Sequence, residues 1–388
     1  MFGSIPKNVF ILGLVSFFND LSSEMIYPIV PLFLTSVLNA PVSVVGLIEG
    51  IAESTAAIGK FLFGYLSDRT GKRKPFVIAG YGMAALSKPL IGLATVWPLV
   101  LFARFVDRLG KGLRTSARDS LLLQNATSQN RGYIFGFHRA FDSLGAVFGP
   151  LIALVLLASF AQNMRLIFFL AFIPAVVSVI LLFVFVREKR SSTSAEKKFT
   201  FNIRHLSPTF LFFFAVSMLF YLGNSSDAFL ILRAKNLGLS TTMAVLTYVL
   251  YNISQTVFAT PAGKLADKIG AKRVFSAGLL VFALVYFLFG FIRTATLLWI
   301  LFPFYGIYIA FTDGVSKAYI ANFFHQENSG SYFGLYQAGI ALCAFFASFI
   351  GGILWTTFGP SATFYFGAIM AFAAFFSLLL GKSFKKIA

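Results

Sequence analysis

The chain has 388 residues, of which 58% are apolar and only 12% charged, with a mean hydropathy of +0.82 and a net charge of +18. Ordinary soluble domains carry about twice that share of charge, so these figures exclude a water-soluble globule and require lipid to solvate most of the surface. The basic excess would suggest nucleic acid in a soluble chain; here it is read by position, because cytoplasmic loops of membrane proteins gather Lys and Arg.

Apolar stretches long enough to cross a bilayer recur from end to end. In chain order they are 8–36, 42–66, 75–95, 97–120, 131–158, 163–187, 206–233, 240–264, 272–292, 296–321, 330–355 and 359–382. The first begins within MFGSIPKNVFILG, which has no small-residue cleavage signal and reads as the start of a retained span. The one polar, Ser-rich interruption is REKRSSTSAEKKFTFNIRH at 187–205, a linker by composition. The fold class predicted is therefore all-α and integral to the membrane, with twelve transmembrane helices in two pseudo-symmetric six-helix bundles. The bundles are residues 1–187 and 206–388, joined by a cytoplasmic linker at 188–205.

Span 1 contains FFNDLSSEMIYPIVP, with Asp20 and Glu24 one turn apart. Glu24 falls near mid-span, where an ionised carboxylate costs several kcal/mol unless paired or wetted, the property a proton carrier exploits. Its static alternative is an ion pair with Lys60, Lys88 or Arg104. Span 2 adds Glu49, Glu53 and Lys60 on one side; Glu49, near the outer surface, reads as a solvated face. The loop GYLSDRTGKRK follows, with Gly64 permitting close helix approach, Asp68 just past the helix end and Gly71 supplying a turn before Lys72, Arg73 and Lys74. Span 3 carries Lys88 beside Pro89.

Span 4 contains ARFVDRLGKGLRTSARD, where Arg104, Asp107, Lys111, Arg114 and Arg118 make one stripe beside Arg108 and Asp119. Such a stripe cannot face lipid cheaply and must line a cavity or an interface. For Arg104 the reading is functional; for Arg114, Arg118 and Asp119 it is a salt-bridge network. Span 5 carries His138 and Asp142 one turn apart, then Gly145, Gly149 and Pro150 as G-x-x-x-G-P. Candidates in the second half are Asp227, Asn252, Gln255, Asp313, Lys317 and Gln337, with Tyr221, Tyr248, Tyr251, Tyr305, Tyr308, Tyr332 and Tyr336. The single cysteine, Cys343, has no disulfide or metal companion.

The halves repeat. GYLSDRTGKRK recurs as GKLADKIGAKR at 263–273, NDLSSEM as GNSSDAF at 223–229, and RGYIFGF as GSYFGLY at 330–336. All three pairs lie in the same order about 200 residues apart, the mark of a duplicated six-helix unit. Basic residues crowd the loops after spans 2 and 8, the linker and the tail, which puts both termini on the cytoplasmic side of a cell membrane.

These loops resemble the hallmark of the major facilitator superfamily, carried here by Gly64, Asp68, Arg69, Gly71, Lys72 and Arg73. The second copy matches through Gly263, Leu265, Asp267, Lys268, Gly270, Lys272 and Arg273. The resemblance implies alternating access around a central cavity, with Asp68, Arg69, Arg73 and Asp267 at the cytoplasmic gate beside Asp107, Lys111, Arg114, Arg118 and Asp119. Span 4 departs from the family pattern where Arg108 stands in place of a glycine. Span 5 resembles the helix-5 motif of proton-coupled, drug/proton antiporter-like exporters but lacks the trailing glycine pair. The chain is therefore expected to perform secondary transport, as proton-coupled export of an organic compound. It is expected to act as a monomer without cofactor, metal or nucleic acid, its partners being a small-molecule substrate, protons and lipid. The alternative is a carrier of an anionic or zwitterionic solute such as an organic acid, a phosphorylated compound or a siderophore. No motif of an enzyme is present. The candidate proton or substrate residues are Asp20, Glu24, Glu53, Lys60, Lys88, Arg104, His138, Asp142, Asp227 and Asp313.

Overall fold

The computed structural model describes residues 5–70, 72–125, 131–188, 207–320 and 329–381, with side chains omitted at 61, 68, 131, 132, 317, 318 and 329–334. All regular structure among the described residues is helical. The helices are α1 (Lys7–Ile26), α2 (Val30–Ser36), α3 (Val42–Thr70), α4 (Lys74–Gly92), α5 (Trp97–Leu123), α6 (Arg131–Ser159) and α7 (Met164–Phe185). After the linker come α8 (Pro208–Gly223), α9 (Ala228–Asn236), α10 (Thr241–Ile269), α11 (Ala271–Phe291), α12 (Leu298–Ile320), α13 (Ser329–Phe358) and α14 (Pro360–Leu380).

Ten helical segments among the described residues are long and apolar enough to cross a bilayer. Two further long helices, α5 and α10, are not among them. The first is interrupted by charge and the second by Thr, Ser, Asn, Gln and Tyr. Length and composition thus support ten of the twelve expected spans among the described residues.

Two predicted spans are each built from two helices. Span 1 is broken at residues 27–29, where Pro28 withholds a backbone donor, and the seventh is broken at 224–227. The breaks lie at the two copies of the NDLSSEM-like motif, just after the first and within the second. In addition, α3 continues through Thr70, so Asp68 lies in its last turn and not past its end; the Asp68 side chain and Gly71 fall outside the described residues.

The chain forms two compact units, residues 1–40 with 51–197, and residues 41–50 with 198–388. The first turns of α3 therefore belong with the second unit. Within the first unit α1 packs on α6 and α7, and α4 on α5 and α7. Within the second, α8 packs on α13 and α14, and α11 on α12 and α14. Element for element, this is the same scheme twice. Each unit also uses an arginine to close the orphan carbonyls of a helix end. Arg165 donates to Gly92 O at 2.7 Å after α4, and buried Arg233 donates to Phe289 O at 3.0 Å and Ile292 O at 2.7 Å after α11.

The repeated basic loop is built differently in its two copies. In the second, Gly270 takes φ +96°, ending α10 and starting α11 in one residue. In the first, Glu188 accepts hydrogen bonds from the backbone N–H groups of Arg73 (2.5 Å) and Lys74 (3.2 Å), capping the start of α4. A carboxylate there satisfies orphan donors and complements the helix dipole. Glu188→Ala is expected to lower stability by about 1 kcal/mol, read as a lower melting temperature in detergent; Glu188→Gln should lose less.

Candidate functional site

Close helix approach brings the ionisable residues of the first unit together. A Cβ on Gly110 would lie 2.5 Å from Gly80 O, and one on Gly112 would lie 2.7 Å from Gly59 Cα. Helix α5 therefore meets α4 and α3 backbone to backbone. On the other side, a Cβ on Gly145 would lie 2.8 Å from Phe17 O, and one on Gly149 would lie 2.7 Å from Leu21 O. The G-x-x-x-G stretch of α6 thus seats directly on α1.

At the centre, Lys88 is 0% exposed. Its Nζ donates to Asp107 Oδ1 at 2.8 Å and to Ser23 Oγ at 3.4 Å, and Ser87 Oγ reaches the same carboxylate at 3.4 Å. This buried pair joins α1, α4 and α5. Asp107 is engaged inside the unit by Lys88, and Lys88 pairs with Asp107, not with Glu24. Arg108 Nη2 lies 3.3 Å from Glu53 Oε1, tying α5 to α3. Arg104 is buried, with its guanidinium 5.8 Å from the Tyr27 ring at the break between α1 and α2. Lys60 is exposed and Lys111 half-buried. Glu24 is half-buried on the face of α1 that meets Gly149.

Toward the other end of α5, Arg118 binds Asp119 Oδ1 through Nε (3.1 Å) and Nη2 (2.9 Å) and donates from Nη1 to Ser16 Oγ at 3.3 Å. Arg114 lies over the Tyr81 ring at 4.7 Å. Asn19 Nδ2 donates to Asp20 Oδ1 at 3.1 Å. On α6, His138 Nδ1 lies 3.6 Å from Asp142 Oδ1. Arg69 and Asp267 are exposed on the last turns of α3 and α10, Arg73 is half-buried, and Asp313 is exposed on α12. The Lys317 side chain falls outside the described residues.

The second unit gathers its polar groups at the break between α8 and α9. Asn224 Nδ2 donates to Tyr308 OH at 2.9 Å, and Tyr286 OH donates to Ser225 O at 3.3 Å. Ser226 Oγ donates to Glu49 Oε2 at 3.3 Å, while the Ser226 N–H donates to Ser348 Oγ at 3.2 Å. Asp227 accepts from Tyr305 OH at 2.6 Å and from Tyr251 OH at 2.8 Å. Every residue of the break is thus held by a neighbouring helix, which accounts for broken backbone inside a membrane span. Glu49 is 2% exposed, so its reading as a solvated face is corrected: it anchors this break. The missed signal was the tyrosine spacing, since Tyr251, Tyr305 and Tyr308 present phenols to one four-residue segment.

Among the described residues no cluster of His, Cys, Asp or Glu is suited to hold a metal. Cys343 is buried with Sγ 3.6 Å from Met218 Sδ.

The sequence profile of the Major Facilitator Superfamily matches residues 12–232 and again 209–386. An uncharacterized MFS-type transporter of Methanocaldococcus jannaschii is 35% identical over 373 residues, 95% of this chain and 93% of that one. The multidrug resistance protein MdtG of Salmonella typhimurium is 30% identical over 159 residues, 40% of this chain and 39% of that protein. Among solved structures, the human organic anion transporter MFSD10 superposes with a TM-score of 0.68 at 16% identity, over 97% of this chain and 100% of the other.

Proposed function

The chain belongs to the Major Facilitator Superfamily, a family of membrane transport proteins and not of enzymes, and on that premise we propose that it carries a small organic anion or zwitterion coupled to protons. The solute moves by alternating access between two six-helix bundles, with α5 and α10 as the fourth and eighth of twelve spans and both termini in the cytoplasm. One observation carries the reading. Among the described residues of the first unit, Lys88, Arg104, Arg108 and Arg114 are all buried; Lys88 is set against Asp107 and Arg108 against half-buried Glu53, while Arg104 lies over the Tyr27 ring at the break in span 1. Burying a charge is expensive without compensation, and an anionic group on the solute adds to it each time the site is loaded. In this reading Arg104 is the principal anion contact, Glu53 and Lys60 tune Arg108, and Asp68, Arg69, Arg73 and Asp267 belong to the cytoplasmic gate.

Uptake by full-length protein in proteoliposomes, over a panel of labelled organic anions, zwitterions and neutral compounds, tests this with and without a pH gradient. We expect anions or zwitterions to be carried, and Arg104→Gln to lower their flux at least ~10-fold, since a charged hydrogen bond contributes about 1.5–3 kcal/mol. Carriage of neutral or cationic compounds alone, indifferent to Arg104, would overturn the reading. A second reading is proton-coupled export of an amphipathic compound. The Gly145–Gly149 seam on α1 and the partial likeness to MdtG favour it, and flux confined to uncharged amphiphiles against a proton gradient would select it.

A further inference from the structure

We infer that the coupling proton is bound at the seam of α1 and α6, by a cluster of Asp20, His138 and Asp142, and not by mid-span Glu24. This rests on the proton-coupled reading and names the group that performs the coupling. His138 is 3% exposed, yet its Nε2 has no hydrogen-bond partner among the described residues. Asp142 Oδ1 is likewise buried without a hydrogen bond, 3.6 Å from His138 Nδ1. Nearby on α1, Asn19 is fully buried and its Oδ1 has no partner among the described residues. Buried polar atoms in native proteins are satisfied by protein or by internal water. An imidazole with Nε2 open and Nδ1 turned toward an open carboxylate oxygen, on adjacent turns of one helix, makes a hydrated site able to take up a proton.

The second carboxylate comes from α1. Gly145 lets α6 approach until its Cβ position is 3.0 Å from Asp20 Cβ, and Asp20 and Asp142 repel electrostatically. Two carboxylates in one half-buried site hold a proton between them more readily than either alone. Helix α5 acts electrostatically on the cluster, through Arg114, Arg118 and Lys111 on Asp20 and through Arg118 and Asp119 on His138. Tyr81 of α4, which lies under Arg114, also acts electrostatically on Arg118, and exposed Arg139 of α6 acts on His138. Arg118 is the competitor. It is tied to Asp119 and to Ser16, one turn from Asp20, so it stabilises the cluster only in its unprotonated form. A proton arriving from water at His138 Nε2 gives an imidazolium whose Nδ1–H donates to Asp142. The Nδ1 proton then passes to Asp142 or Asp20 and leaves to water on the opposite side, while His138, left protonated at Nε2, returns to its first tautomer by exchange with water; no bond other than to hydrogen is made or broken.

Infrared difference spectroscopy of the full-length protein in lipid, scanned over pH, reads this directly and needs no solute. A protonated-carboxyl band should titrate in the parent protein, be lost in Asp20→Asn or Asp142→Asn, and persist in Glu24→Gln. Where the asparagine variants fail to fold, Asp142→Glu should shift the band and keep it. In a His205→Gln/His325→Gln background, the His138 imidazole signal should move its midpoint by ~1 pH unit on Asp142→Asn. A band lost only in Glu24→Gln, or unmoved by every change at Asp20 and Asp142, would overturn the assignment. A titrating cluster in a protein with no solute flux would instead overturn the transport reading, so the two failures are distinct.

Discussion

Replacing Asp107 by alanine is expected to destabilise the first unit by about 3–5 kcal/mol, the cost of leaving one partner of a buried ion pair uncompensated. Lys88 has no exposure, and Asp107 supplies its one short charged contact among the described ion pairs, 2.8 Å away. What remains in Asp107→Ala is the 3.4 Å contact to Ser23 Oγ, too little to hold an ammonium in a dry core. The double variant Lys88→Met/Asp107→Leu removes both charges with side chains of similar bulk and should recover most of the loss. Thermal unfolding of the three proteins in the same detergent checks the sign and the rescue. Equal melting temperatures for the parent and Asp107→Ala would show that the pair is not energetically coupled. If the double variant is stable yet carries no solute, the pair is working in transport and not only in folding.

Gly149→Leu is expected to be nearly as damaging and to abolish flux. A side chain there meets Leu21 O at 2.7 Å, Glu24 Cβ at 2.8 Å and Met25 N at 3.0 Å. Two of the three atoms are backbone of α1 and cannot swing aside. Overpacking of this kind costs about 1–3 kcal/mol, and here the strain is relieved by moving α6 off α1, which separates the groups gathered along that seam. Gly149→Ala should give the same effect at smaller size. Gly136, earlier on α6, has nothing within 4 Å of its Cβ position. Gly136→Leu is therefore the matched control, expected to leave melting temperature and flux close to the parent.

Much of the fold was legible because lipid imposes simple rules. Apolar length marks spans, Lys and Arg mark loops, and a duplicated basic loop marks the repeat. Positions of broken backbone were harder. The first break carries Pro28, a local signal. The second carries the run Gly223–Asp227, whose residue types favour a turn, but its stability inside a span comes from phenols and a carboxylate that arrive from distant parts of the chain. Pairing was also only partly readable. The stripe on α5 is visible at helical spacing, but spacing does not say that Asp107 turns to Lys88 of α4 while Arg108 turns to Glu53 of α3. Those choices follow from the Gly80–Gly110 and Gly59–Gly112 contacts, which set the rotation of α5 against each neighbour. Glu49 misleads for a related reason: closeness to a span end suggests solvent, and only the packing of the first turns of α3 in the second unit places it against Ser226.

The charge on α5 constrains how the protein is made. A helix bearing Arg104, Asp107, Arg108, Lys111 and Arg114 is a poor candidate to leave the translocation channel alone, since each such residue near the middle of a span opposes partitioning by about 2.5–3.5 kcal/mol. Helix α4 precedes it by a short turn and already holds Lys88, the partner of Asp107. Insertion of α4 and α5 as a preformed hairpin neutralises one pair before either meets lipid, and Glu53 of α3 is by then available to Arg108. The order of synthesis therefore matches the order in which the charges find partners, and nascent chains truncated before residue 97 should enter the bilayer without the helix that most depends on company.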